Sequence, residues 1–188
     1  METFFGLVFT FGIIALIVWL IAKFIGKSAN RINENNSNNL FIKKYLDTCS
    51  DSNIRKEIET ALEDNINKLP IQLFLTKNYL FYKKAGSVQF IPLSSIVWLY
   101  ARDINYKTNI GNNMGEYHCL MITVDGNKTI KIGINQENSE YVVKSIAEKC
   151  SWATIGYSKQ LEEDIKHNFM QYQSKKDNLY KEHISKNL

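Results

Sequence analysis

Arginine is scarce. Only Arg31, Arg55 and Arg102 stand among the 23 basic residues, and bidentate readout of phosphates or base edges leans on arginine. The formal net charge of +4 is mild and not gathered into a stripe, so nucleic acid is not an expected partner. Cysteine is also rare: Cys49, Cys119 and Cys150 are odd in number, widely spaced and without a CxxC pair. That pattern excludes a disulfide framework. It suits a reducing compartment, where a free cysteine behaves as a small apolar residue. No Walker-type loop, GxGxxG, HExxH or GxSxG occurs, which removes the common phosphate-cradling, zinc-protease and nucleophile-elbow chemistries.

The remaining titratable residues do not assemble a site by their spacing. His118 adjoins Cys119 in an alternating stretch, so the two side chains point to opposite faces. His167 and His183 lie on a helical stretch with no acid or cysteine at ligand spacing. Glu162, Glu163 and Asp164 are consecutive and fan around a helix as a solvated first turn. Trp98, Tyr100, Phe81 and Tyr82 read as core and sheet surface, not as a base-stacking platform. No catalytic residue, metal ligand or cofactor site is expected, and the chain is not expected to be an enzyme.

Charge is absent from residues 4–22, which are rich in Phe, Ile, Leu and Val. About 20 helical residues cover the roughly 30 Å hydrocarbon core, so residues 3–25 are expected to be a transmembrane helix. A cleaved signal peptide is the rival reading. It would want a basic start and a small-residue cleavage site, whereas only Glu2 precedes this run. Lys23, Lys27, Arg31, Lys43 and Lys44 follow it, which predicts a single-pass cell-membrane protein with its N-terminus outside and its domain cytoplasmic. Trp19 suits the headgroup boundary, and Gly6 with Thr10 is read either as isolated small residues without a role or as a small-residue contact face.

Residues 26–39 form a polar tether. Residues 40–69 read as helical: a short helix near residues 40–49, then Ile54, Ile58, Leu62 and Ile66 every four residues after the capping types Asp51, Ser52 and Asn53. Pro70 ends it. From Ile71 the period becomes two. Ile71, Leu73 and Leu75 alternate, then Leu80 and Tyr82, then Val88 and Phe90. Ile96, Trp98 and Tyr100 face one way with Val97 and Leu99 opposite, and Leu120, Ile122 and Val124 follow. Asp125-Gly126 signals a two-residue hairpin before Ile130, Ile132 and Ile134. About six antiparallel strands result. Two helices close residues 70–174, one capped by Asn135 and burying Val142 and Ile146, the other capped by Ser158 and carrying Leu161, Ile165, Phe169 and Tyr172. Residues 175–188 are a polar tail expected to fray.

Short meandering strands followed by a helix resemble the order of a pleckstrin-homology-like (PH-like) domain. The segment LTKNYLFYKKAGSVQFIPLSSIVWLYAR, residues 75–102, is similar to the hairpin and IPL-x-x-I-x-W pattern of bacterial PH-like proteins. WATIGYSKQLEED, residues 152–164, resembles the ending of a bacterial membrane-anchored family of unknown function. The resemblance implies an α+β fold: an N-terminal transmembrane helix, then a PH-like antiparallel β domain of about six to seven strands flanked by helices. A seventh strand is expected near residues 103–107. It also implies a binding platform. Lys77, Lys83 and Lys84 match the lipid-binding hairpin loops of such domains and are the candidate lipid-binding residues, at about 1 kcal/mol each on an anionic surface; solvated turn lysines are the alternative. The expected function is a membrane-anchored scaffold or adaptor module binding a protein partner without catalysis, with anionic-lipid recognition as the second reading.

Overall fold

The computed structural model describes residues 40–64, 69–70, 72–107 and 113–186. Helix α1 (residues 40–48) leads into α2 (Ser52–Glu63). Asp51 caps α2, its carboxylate accepting from the amides of Asn53 and Ile54 at 2.9 and 3.1 Å. This satisfies two of the N–H groups that a helix start leaves unpaired. Arg55 reaches back to donate to the carbonyls of Leu46 and Cys49 at 2.6 and 3.0 Å, closing the last turn of α1. Phe41, Ile42, Ile54 and Ile58 then pack on Phe74 and Phe81 of the first sheet.

That sheet is β1 (Leu73–Leu75), β2 (Tyr79–Lys84) and β3 (Ser87–Pro92), antiparallel in the order β1-β2-β3. The β2–β3 turn places Ala85 and Gly86 at φ 48° and 85°, the left-handed pair of a tight hairpin. A second sheet has the order β6-β5-β4-β7, with β4 (Ile96–Lys107), β5 (Asn113–Val124), β6 (Lys128–Gly133) and β7 (Thr154–Ile155). Between the sheets lies the main core. Leu73, Leu80 and Ile91 meet Leu99, Leu120 and Ile122, with Val142 and Ile146 of α3 (Ser139–Lys149) and Trp152 closing it. The outer face of the second sheet buries Tyr100, Cys119 and Met121 against Ile165 and Phe169 of α4 (Lys159–Lys186).

The expected fold class is corrected in its β-structure. The seven strands form two sheets of three and four, and they are not antiparallel throughout. Thr154 and Ile155 pair with Trp98 and Leu99 in parallel, so the seventh strand is β7, and residues 103–107 are simply the end of β4. Among the described residues, no helix is long and apolar enough to cross a membrane; the expected span at residues 3–25 and the tether at 26–39 lie outside them.

Smaller differences have local causes. A register shift between Ile96 and Trp98 turns Val97 onto the α4 side with Trp98, while Ile96 joins Leu99 in the main core; a bulge does this by adding one residue to the alternation. The β5–β6 turn holds three residues, with Gly126 and Asn127 at φ 76° and 59°. Asn135 does not cap α3. A 3-10 turn (Gln136–Asn138) intervenes, and the Ser139 hydroxyl donates to the Gln136 carbonyl at 2.7 Å. Ser158 does cap α4, accepting from the Leu161 amide at 3.0 Å. α4 breaks its helical geometry at Asn168 and continues to Lys186 instead of fraying.

Candidate functional site

The extension of α4 creates the most distinctive surface. Past Asn168, the helix is pinned by Lys176, whose side chain is 4% exposed. Its ammonium donates to Asp125 at 2.8 Å and to the Ser94 carbonyl at 3.1 Å, and pairs with Asp177 at 2.7 Å. Burial opposes the charge, but the bonds to the two aspartates outweigh it and raise the Lys176 pKa. Two helical turns are thereby held over Trp152. The Tyr180 and His183 rings stand edge-on to the indole at 4.7 and 5.1 Å. The indole N–H donates to the Leu93 carbonyl at 3.3 Å.

The opposite wall is the β1–β2 turn, which Glu57 of α2 fixes. Its carboxylate accepts from the Thr76 hydroxyl at 2.9 Å, from the Asn78 amide at 3.2 Å and from the Asn78 side chain. The Asn78 carbonyl in turn accepts from the Leu93 amide at 2.8 Å. Lys77 therefore projects from a rigid turn. Between these walls runs a groove of about 790 Å³ lined by Lys77, Asn78, Tyr79, Pro92, Leu93, Ser94, Lys149, Trp152, Tyr180, His183 and Ile184. It has an aromatic floor, and no carboxylate lines it. Among the described residues, neither Lys77 nor Lys149 forms an ion pair.

Both lysines also rim a second cleft, of about 630 Å³, between α2 and α3. Its charge is mixed: Lys56, Lys77 and Lys149 face Glu57, Asp64 and Glu148. The electrostatic bias therefore lies on the groove side.

The three lysines singled out in the sequence do not converge. Lys83 and Lys84 sit at the far end of β2, opposite Val88 and Ser87, roughly 20 Å along the strand from Lys77 at about 3.3 Å per residue. Lys149, Trp152 and His183, which do gather at Lys77, lie more than 70 positions away in the chain and carry no motif.

A second polar cluster was missed because it is made across strands. His118 and Asp103 are register partners of β5 and β4, and His118 Nδ1 lies 2.6 Å from Asp103 Oδ1. With the carboxylate as acceptor, Nδ1 is the donor of this contact. His118 Nε2 is buried with no hydrogen-bond partner among the described residues, beside a polar cleft of about 530 Å³. A positioned base needs a nucleophile or metal within reach. Cys119 is in the opposite core, and no group of three potential metal ligands occurs among the described residues. His167 stands 3.9 Å from Glu163, one turn earlier, an acid that the spacing argument passed over; both are exposed.

Arg102, Glu162 and Tyr157 join α4 to β4. Arg102 Nη1 donates to both Glu162 oxygens at 3.2–3.3 Å, the Tyr157 hydroxyl donates to Glu162 at 2.8 Å, and Trp98, Tyr100 and Tyr157 stack beneath. The hydrogen bond from Tyr157, reinforced by Arg102 and Lys166, lowers the Glu162 pKa against the opposing effect of burial. This is a structural clamp, because its polar groups satisfy one another. The three thiols are free and buried. Burial pushes Cys150 up to about 12 and raises Cys119.

Against known proteins, no curated protein and no solved structure matches. A family model described as a domain of unknown function (DUF6709) matches residues 36–165. That span runs from before α1 into the first turns of α4, and the chain belongs to this family of uncharacterised domains.

Proposed function

We propose that the domain is a protein-interaction module without catalysis, working at the cytoplasmic face of a cell membrane. The observation that carries this reading is the groove at Lys77 and Lys149: hydrogen-bonded walls, aromatic side chains in its lining, and two lysines that form no ion pair among the described residues. Ligand sites are commonly concave, with a few placed polar groups and volumes of roughly 300–1,000 Å³. The likeness of residues 75–102 to bacterial PH-like proteins supports a platform role. The uncharged run at residues 4–22, with lysine and arginine after it, supports the membrane placement.

The test is site-directed photo-cross-linking in the full-length chain in native membranes. A photoreactive residue at Ser94, in the groove, is expected to capture one discrete protein. The same probe at Lys131, on the exposed strand β6, is the control. Capture at both positions alike, or at neither, contradicts the reading. Anionic-lipid recognition is the second reading, favoured only by Lys77. Lys83 and Lys84, at the other end of β2, cannot share one headgroup with it.

A further inference from the structure

We propose that the occupant of the groove is an extended acidic segment of a partner protein. Its carboxylates meet Lys77 and Lys149, and one apolar or aromatic side chain seats against Tyr79, Tyr180 and Ile184. This rests on the interaction reading above and adds the chemistry of the partner.

Charge complementarity carries the argument. The groove presents two lysines that no carboxylate neutralises among the described residues. Glu57, whose carboxylate accepts from Thr76 and Asn78, lines the α2/α3 cleft and not the groove. The floor is the second element. Ile184 is 40% exposed and Tyr79 and Tyr180 are half-buried, so an apolar side chain gains area there beyond the ionic contacts. A headgroup alone leaves that surface wet.

Shape separates a linear segment from a bilayer. Lys77 and Lys149 are shared with the α2/α3 cleft, whose rim carries Glu57, Asp64 and Glu148. A flat anionic membrane approaching the lysines meets those carboxylates too, and like charges disfavour it. A narrow chain running along the groove avoids them.

The experiment uses the full-length protein in neutral-lipid nanodiscs and fluorescence anisotropy. The probe is a short fluorescein-labelled peptide of glutamates around one central phenylalanine. Comparison peptides carry glutamine for glutamate, or alanine for phenylalanine. The glutamate peptide is expected to bind, the glutamine version to bind about tenfold more weakly, and added salt to reduce the difference. Replacing phenylalanine by alanine weakens binding as well. Lys77→Gln with Lys149→Gln lowers affinity on the order of tenfold, two exposed contacts of up to about 1 kcal/mol each. Lys83→Gln with Lys84→Gln leaves it unchanged. Both pairs are exposed, so the fold survives either change.

Equal binding of the glutamate and glutamine peptides overturns the proposal. So does an equal loss from the two lysine pairs. Binding of phosphatidylglycerol vesicles through Lys77 and Lys149, with no peptide binding, also overturns it and assigns the groove to lipid. A protein captured at Ser94 that carries no acidic segment overturns the acidic occupant and leaves the interaction module standing.

Discussion

Replacing Glu162 by glutamine tests whether α4 is held to the second sheet by charge. Glu162 accepts from Tyr157 at 2.8 Å and pairs with Arg102 at 3.2 Å, with its side chain 20% exposed and that of Arg102 30% exposed. Glutamine keeps the shape and an acceptor for Tyr157 but removes the charge. A partly buried charged hydrogen bond contributes roughly 1.5–3 kcal/mol, and solvent reaching the guanidinium reduces that. A loss of about 1–2 kcal/mol at pH 7 follows, or about 2–8 °C in Tm for a chain of this size. The pH dependence is the sharper readout. Because the folded pKa of Glu162 is lowered, its stabilisation is present above the unfolded carboxylate value of about 4.3. It is lost as pH falls through the folded value. Urea unfolding of the two proteins, followed by tryptophan fluorescence, gives the gap between them at each pH. The gap should be full at pH 7 and shrink steadily below about pH 4. A gap that stays constant down to pH 2.5 refutes the charge argument. Tyr157→Phe in the same background should lose less than the sum of the single changes, since both act on one carboxylate.

Two further outcomes follow from buried groups. Cys150 is fully buried and its thiol is pushed up to about 12, so thiol-directed mass labelling at pH 8 should leave it unmodified until denaturant unfolds the domain; rapid native labelling contradicts the core assignment. Lys176→Met keeps the apolar stem but removes the link to Asp125, Asp177 and Ser94. It should cost about 1–3 kcal/mol and speed hydrogen exchange in the last turns of α4, whereas unchanged exchange there contradicts the pinning.

Local order in this chain was legible where one face is buried. The alternation through Leu73, Leu80, Leu120 and Ile132 marks strands because each packs into one inter-sheet core, and the four-residue spacing of Ile54 and Ile58 marks α2 because both pack on Phe74 and Phe81. The division into two sheets was not legible, since it depends on which strands pair and not on their period. β7 has two residues, too few for a period, and is held by the parallel pairing to β4 and by Trp98 Nε1 donating to the Gly156 carbonyl at 2.7 Å. Lys176 read as part of a polar tail because a lysine signals solvent; Asp125, which makes its burial possible, lies 51 positions away. The groove was half legible for a related reason. Lys77 stood out as a turn lysine, but Lys149, Trp152 and His183 join it only through the packing of α3 and α4.

The groove is the central claim, and hydrogen exchange of the full-length protein cross-linked to its captured partner tests it most directly. Amides of residues 77–79 and 93–94 and the last turns of α4 should gain protection relative to the free protein, while β6 and the β2–β3 turn at Ala85 and Gly86 stay unchanged. Protection confined to β6 or to the β2–β3 turn, with the groove amides unaltered, would contradict the account.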